Sequence, residues 1–346
     1  MTAIAKLFGT ELPVIQAPMA GSQARAMAIA VSNAGGLGSL PCAMLAPEGI
    51  GQELAAIQAR TKKPYNVNFF CHVPPAPDTV REAAWRAKLS PYYEEFGIDA
   101  DKIPAGPGRA PFSQEAADVL EAFKPAVVSF HFGLPAKELL ARVRSWGSKI
   151  VSSATTVEEA RWLEAQGVDA IIAQGNEAGG HRGVFLGEDI STQPGTFALL
   201  PQVVKAVKVP VIAAGGIADA KGVAAAIALG ACAAQIGTAY LLCPESTASA
   251  VHRAALKGPN AANTALTNLF TGRPARGIVN RLMGELGPMN PAAPAFPLAT
   301  AAIAPLRAAA ERNGSGDFSP LWSGQNATGC REVSAAQLTR ELAGLA

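Results

Sequence analysis

Charge is scarce in this chain: Asp, Glu, Lys and Arg make up only 16% of its 346 residues, and they nearly cancel, leaving a net +2. That balance provides no electrostatic basis for a nucleic-acid or acidic-membrane partner. Aromatic residues are equally sparse at 6%, so a chain that is 49% apolar has to build its core from Ala, Val, Leu and Ile. The five cysteines (Cys42, Cys71, Cys232, Cys243 and Cys330) are odd in number, widely spread and without CxxC spacing. This argues against a disulfide framework or a zinc site and for reduced thiols in a cytoplasmic protein. No apolar run reaches the ~18 residues of a membrane span, and Met1 to Lys6 is too short and polar for a signal segment.

What is present is alternation. Apolar runs of strand length recur at Leu12–Ala17, Leu37–Leu40, Tyr65–Phe70, Ala126–Phe130, Lys149–Ser153, Val168–Ala173, Val209–Ala214 and just before Gly237. Stretches with helical spacing separate them, several carrying start or stop signals: Ala34-Gly35-Gly36 ends one, Ser113 caps another, and Thr156 with Glu159 forms a capping-box pattern. Eight such units predict an α/β fold, a (β/α)8 TIM barrel. An open doubly wound sheet would carry GxGxxG after its first strand, where this chain has Ala17-Pro18-Met19-Ala20-Gly21. The expected organisation is a barrel over 1–243, with a Pro-rich, aromatic excursion at 72–111. A smaller, mainly helical subdomain (244–316) would cover the barrel mouth, with helices at Pro259–Thr264 and Gly277–Leu286, and a C-terminal segment (317–346) would return to the barrel.

Barrel active sites lie at the C-terminal ends of the strands. There the sequence places Ala17, Pro18, Met19 and Ala20 after the first strand, Asn68 and His72 at the third, His131 at the fourth and Ser153 at the fifth. The sixth strand ends in Gln174, Glu177, Gly179, Gly180 and His181, the seventh in Gly215-Gly216 and the eighth in Gly237-Thr238. Three of only four histidines fall on this rim. A metal triad of His131, His181 and Glu177 would leave the glycine turns unexplained, so no metal is expected. Cys71 beside His72 is a poor dyad, because neighbours on a strand point to opposite faces. Bare glycine turns after the last two strands suit a phosphate. Asn68 and Gln174 can each donate and accept, as the pyrimidine edge of a flavin requires, and Met19 can pack on an aromatic ring. The ligand that fits all three is FMN.

Six motifs then carry a family resemblance: QAPMAG (16–21), VNFFCH (67–72), SFHFG (129–133), QGNEAGGHRG (174–183), AAGGIAD (213–219) and QIGTAYLLCPE (235–245). Together they resemble nitronate monooxygenase over nearly the whole chain, with SFHFG the discriminating element. The resemblance implies FMN-dependent oxidation of alkyl nitronates by O₂ to a carbonyl compound and nitrite, with propionate 3-nitronate and nitroalkanes as candidate substrates. It implies FMN contacts from Ala17, Pro18, Met19, Ala20, Asn68, Gln174, Gly179, Gly180, Gly215, Gly216, Gly237 and Thr238. His131 would be the base or nitronate-binding group, and His181 and Met19 would line the substrate pocket. The protein would be a monomer or homodimer. One departure stands out: between Pro288 and Pro320 this chain lacks the tyrosines and lysine that some members place over the pocket. Other readings are an FMN- and NAD(P)H-dependent enoyl-acyl-carrier-protein reductase, a non-catalytic flavin- or phosphate-binding protein, and an inosine-phosphate-type barrel dehydrogenase.

Overall fold

The computed structural model describes residues 3–104 and 108–345. Eight parallel strands form the barrel: Val14–Gln16, Gly38–Pro41, Tyr65–Phe70, Val127–His131, Lys149–Ala154, Ala170–Gln174, Val211–Ala214 and Ala233–Ile236. The first strand pairs with the last along Val14↔Ala234 to Gln16↔Ile236, and a parallel bridge between Ile15 and Leu37 closes the ring onto the second. Leucine, isoleucine, valine and alanine on the outer faces pack against the surrounding helices, as in the cluster of Leu54, Ile57, Leu120, Val143, Leu163, Leu199 and Val203. Small side chains let strands and helices approach closely. At Gly38 an added Cβ would sit 2.0 Å from the Ala28 carbonyl oxygen.

The sequence carried no clear signal for the helix Ala3–Phe8, yet it closes the barrel floor. Its Ile4 and Phe8 pack among Ile15, Leu37, Val127, Val151, Ala170, Ile172 and Ile212, residues toward the N-terminal ends of the strands. The barrel interior toward the mouth is polar instead. Buried Gln16, Ser39, Asn66, Ser129 and Asn68 form a hydrogen-bonded file: Ser39 Oγ donates to the Gln16 carbonyl (2.6 Å), Asn66 donates to Ser39 Oγ (3.0 Å) and Ser129 Oγ (2.9 Å), and Asn68 donates to the same Ser129 Oγ (2.9 Å). Filling a barrel with amides and hydroxyls is tolerable only because nearly all of them are partnered.

Over the mouth, the 72–111 excursion and the 244–316 region share one core. Trp85, Leu89, Tyr92 and Tyr93 pack with Leu269, Phe270, Leu282, Ile303, Leu306 and Phe318. The helix Thr79–Glu95 runs straight through Pro91 instead of breaking there. Packing overrides the local cost: Tyr92 sits 5.2 Å from Phe318 between ring centres, and Tyr93 donates to the Ala302 carbonyl at 2.8 Å. Of two helices expected from the sequence, one is absent and the other is shortened. Residues 259–262 form turns and Thr264 opens a strand, while Gly277 belongs to a second strand and the helix begins only at Arg281. The strands Thr264–Thr267 and Ala275–Ile278 make an antiparallel hairpin that adds Gly180–His181 as a third strand. Helices 250–257, 281–286 and 299–312 make up the rest of this region. From 317 onward the chain crosses the mouth: Gln325 N–H donates to the Glu177 carbonyl and Asn326 Nδ2 to the Gly216 carbonyl.

Candidate active site

Of the strand-end residues singled out from the sequence, all but His72 line one cavity at the C-terminal mouth of the barrel. Ala17, Pro18, Met19 and Ala20 form one wall, and Gly179, Gly180, Gly215, Gly216, Gly237 and Thr238 another; Asn68, His131, Gln174 and His181 complete it. His72 lies beside the cavity, with its ring 4.8 Å from Phe296. The glycine wall is bare because of its backbone. Gly180, Gly215 and Gly216 adopt φ values of +69°, +122° and +70°, which side chains disfavour. A Cβ on Gly215 would also lie 2.6 Å from Thr196 Oγ1. Glu177, weighed earlier as a metal ligand, instead accepts from the Thr196 N–H (2.8 Å) and hydroxyl (2.9 Å) at the start of helix Thr196–Ala206, where a carboxylate is favoured.

His131 ends the fourth strand, immediately before a tight bend in which Phe132 (φ +70°) and Gly133 (φ +87°) are both left-handed. A non-glycine residue in that region stores strain, and such residues cluster at functional sites. The imidazole is held at both nitrogens: Nδ1 lies 3.0 Å from Ser153 Oγ, and Nε2 lies 3.2 Å from the His181 carbonyl oxygen. A carbonyl can only accept, so Nε2 carries the hydrogen and Nδ1 presents its lone pair toward the Ser153 hydroxyl. Burial, reinforced by the guanidinium charges of Arg273 and Arg182, lowers the His131 pKa to about 4, although the His181 carbonyl opposes this. His131 is therefore neutral at pH 7. Its partners also suit the protonated form, because Ser153 Oγ and the carbonyl can both accept from an imidazolium.

The His181 carbonyl accepts a second bond, from Gln174 Nε2 (3.0 Å), and Gln174 Oε1 accepts from Gly183 N–H (2.7 Å). Gln174 thus has one N–H left for a ligand, whereas Asn68, whose Nδ2 is tied to Ser129, keeps its oxygen as a free acceptor. His181 Nε2 lies 2.9 Å from Thr271 Oγ1, and its pKa falls well below the usual range, first by burial and then by the charge of Arg109. Sequence reasoning did not find several lining residues. Phe70, Arg109, Ser129, Trp322, Gly324 and Asn326 also face the cavity, and Phe296, Phe132 and Phe70 form an aromatic wall with His72 and His181. Trp322, Gly324 and Asn326 come from the far C-terminal segment, where no local pattern marks them. Ser153, placed by the sequence at the end of the fifth strand, does line the cavity.

A closed parallel barrel that gathers a fixed histidine, two amides and a glycine cradle at its C-terminal mouth is the architecture of a (β/α)8-barrel enzyme. The nitronate monooxygenase family matches residues 1–344. The chain is 44% identical to a nitronate monooxygenase of Pseudomonas aeruginosa, covering 97% of each chain, and 42% identical to one of Paraburkholderia phytofirmans, covering 98% of this chain and 93% of that one. Among solved structures, a nitroalkane oxidase from Streptomyces ansochromogenes superposes with a TM-score of 0.88 at 40% identity, covering 99% and 97% of the two chains. FabK from Thermotoga maritima reaches a TM-score of 0.71 at 25% identity, covering 99% and 94%. The chain belongs to the nitronate monooxygenase family and is an oxidoreductase. Among the described residues, no helix is long and apolar enough to cross a membrane.

Proposed function

We propose that this enzyme oxidises alkyl nitronates, propionate 3-nitronate among them, and also neutral nitroalkanes, with O₂ and bound FMN. The observation that carries the reading is the placement of His131 Nδ1 and Ser153 Oγ on one cavity with the left-handed glycine wall and the free Asn68 oxygen.

The residues fit FMN. Gly179, Gly180, Gly215, Gly216, Gly237 and Thr238 would hold its phosphate on a surface kept free of side chains, and Asn68 and Gln174 would meet its pyrimidine edge. The Ala17–Ala20 segment, with the Met19 thioether, would lie along the ring. When bound, FMN supplies the electron-accepting ring and the reactivity with O₂. The protein supplies position and proton control. A nitronate is an anion, and its approach raises the pKa of a neutral imidazole toward the charged, anion-binding form. With a neutral nitroalkane, Nδ1 is the atom that takes the α-proton. The Ser153 hydroxyl must turn away to release that lone pair, and is then free to donate to the nitro oxygens. The imidazolium that results is held by the His181 carbonyl at Nε2.

The test is an anaerobic absorbance titration of the FMN-loaded protein with propionate 3-nitronate and, separately, with NAD(P)H. Bleaching by the nitronate alone supports the reading. Bleaching by NAD(P)H alone would replace it with a reductase.

A further inference from the structure

One cation on the cavity wall has no counter-charge. Arg109 lines the cavity, its guanidinium carbon lies 5.6 Å from the centre of the Phe296 ring, and its buried Nη1 has no hydrogen-bond partner. Among the described residues no carboxylate forms an ion pair with it; burial lowers its pKa, and the neighbouring charge that adds to this is another cation, Arg307. The other arginines around the site are satisfied. Arg182 donates to Gln193, Gly175 and Gln174, Arg276 to the Asn176 carbonyl, and Arg273 to the Val184 carbonyl. A guanidinium nitrogen buried with no partner is unfavourable, so this position is suited to receive an anion.

The position of Arg109 says which anion. The charges that bear on His131 are those of Arg273 and Arg182, whereas Arg109 bears on His181 and His72. Arg109 and His131 both line the cavity, and two rings connect them: Phe296, beside the Arg109 guanidinium, lies 6.0 Å from Phe70, and Phe70 lies 5.8 Å from His131, between ring centres. Arg109 also lines a second cavity between helices 79–95 and 299–312, whose lining includes Trp85, Pro297, Ala301 and the charged Glu82 and Arg86; Glu82 forms no ion pair with Arg109. The small side chains of Thr300, Ala301, Ala302 and Ala304 face this second cavity, where bulkier ones would fill it.

We propose that Arg109 determines specificity by binding the carboxylate of nitronates that carry an acidic tail. The nitronate group turns toward His131, and the tail carboxylate accepts two N–H bonds from the guanidinium fork at the outer end of the cavity. This assignment rests on the nitronate-oxidising reading above.

The experiment compares kcat/KM for propionate 3-nitronate with that for propyl-1-nitronate, which has a methyl in place of the carboxylate, in the wild type and in Arg109→Met and Arg109→Lys. The expected result is a wild-type preference for the acidic substrate that falls about 10- to 100-fold in Arg109→Met, carried mainly by KM. Arg109→Lys should retain part of it. Binding is read independently from the flavin absorbance change on adding succinate, whose second carboxylate stands for the nitronate; it should weaken in Arg109→Met by a similar factor. An unchanged preference ratio in both variants, or a wild type that turns over both nitronates equally, overturns the role of Arg109 and leaves the nitronate reading standing. A wild type that oxidises neither nitronate overturns both.

Discussion

The Nε2 atom of His131 lies 3.2 Å from the backbone carbonyl of His181, and that one contact fixes which nitrogen of His131 can accept a proton. The carbonyl oxygen also takes the Gln174 amide at 3.0 Å, so a single backbone group orients a candidate base and a candidate cofactor amide together. Replacing His131 by Asn should therefore damage turnover of neutral nitroalkanes, which need a base, more than turnover of nitronates, which need only anion binding. A loss of about 100-fold or more against about 10-fold is the expected contrast in kcat/KM. Equal losses for the two substrate forms would remove the base role.

Gly183 makes room for that histidine. A Cβ there would come within 2.9 Å of His131 Cε1 and 3.0 Å of Ser153 Cβ. Gly183→Ala should push the pair apart and lower kcat/KM by about 10-fold or more, because displacements of this size in an active site are costly. The melting temperature should move by only a few degrees, so steady-state kinetics and a thermal melt separate positioning from stability. Unaltered kinetics in the folded variant would contradict the packing described.

Acid should destabilise this protein well above the carboxylate range. His131 and His252 are both held to about 4 by burial, against 6.5 for a free imidazole, and His72 and His181 are also lowered. Between these values the unfolded chain binds protons that the native chain does not. Stability is therefore nearly full above pH 6.5 and falls as the pH drops toward 4, by about 2 kcal/mol at pH 5 for each of His131 and His252. Urea unfolding at pH 7.5 and pH 5 measures this directly, and a flat profile would count against it.

At the opposite end of the barrel, Phe8 is 5% exposed and fills the floor with Ile4. Phe8→Ala should cost about 3–5 kcal/mol of stability. Because the site lies at the other end of the strands, kcat/KM at low temperature should change little. Denaturant midpoints and kinetics at 15 °C check the two halves of this expectation.

The barrel was legible because each of its parts announces itself locally. Tyr65–Phe70 was read to the residue, and Ser113 and Thr156 cap their helices as their positions implied, accepting from Ala116 N–H and Glu159 N–H. Glu159 departs from the capping-box pattern in an instructive way. Its carboxylate reaches past Thr156 to the Thr155, Phe185 and Leu186 amides, tying the fifth strand to the loop that carries Gly183. No three-residue spacing encodes such a contact. The hairpin at 264–278 was missed because its strands are only four residues long and one of them ends beside a helix. Arg109 and Trp322 were missed for the same kind of reason: they reach the cavity only because long connections fold over it. Strand ends are fixed by the barrel, whereas what covers them is fixed by tertiary packing.

The cradle is finished from a distance. Gly324 N–H donates to Thr238 Oγ1 at 2.9 Å across 86 residues of chain, and Asn326 holds Gly216 across 110. On the ribosome the eight strands emerge long before the segment that completes their mouth. The turns after the seventh and eighth strands are therefore held by residues translated long after those strands. A chain cut short before Gly324 would leave Thr238 Oγ1 and the Gly216 carbonyl without these partners.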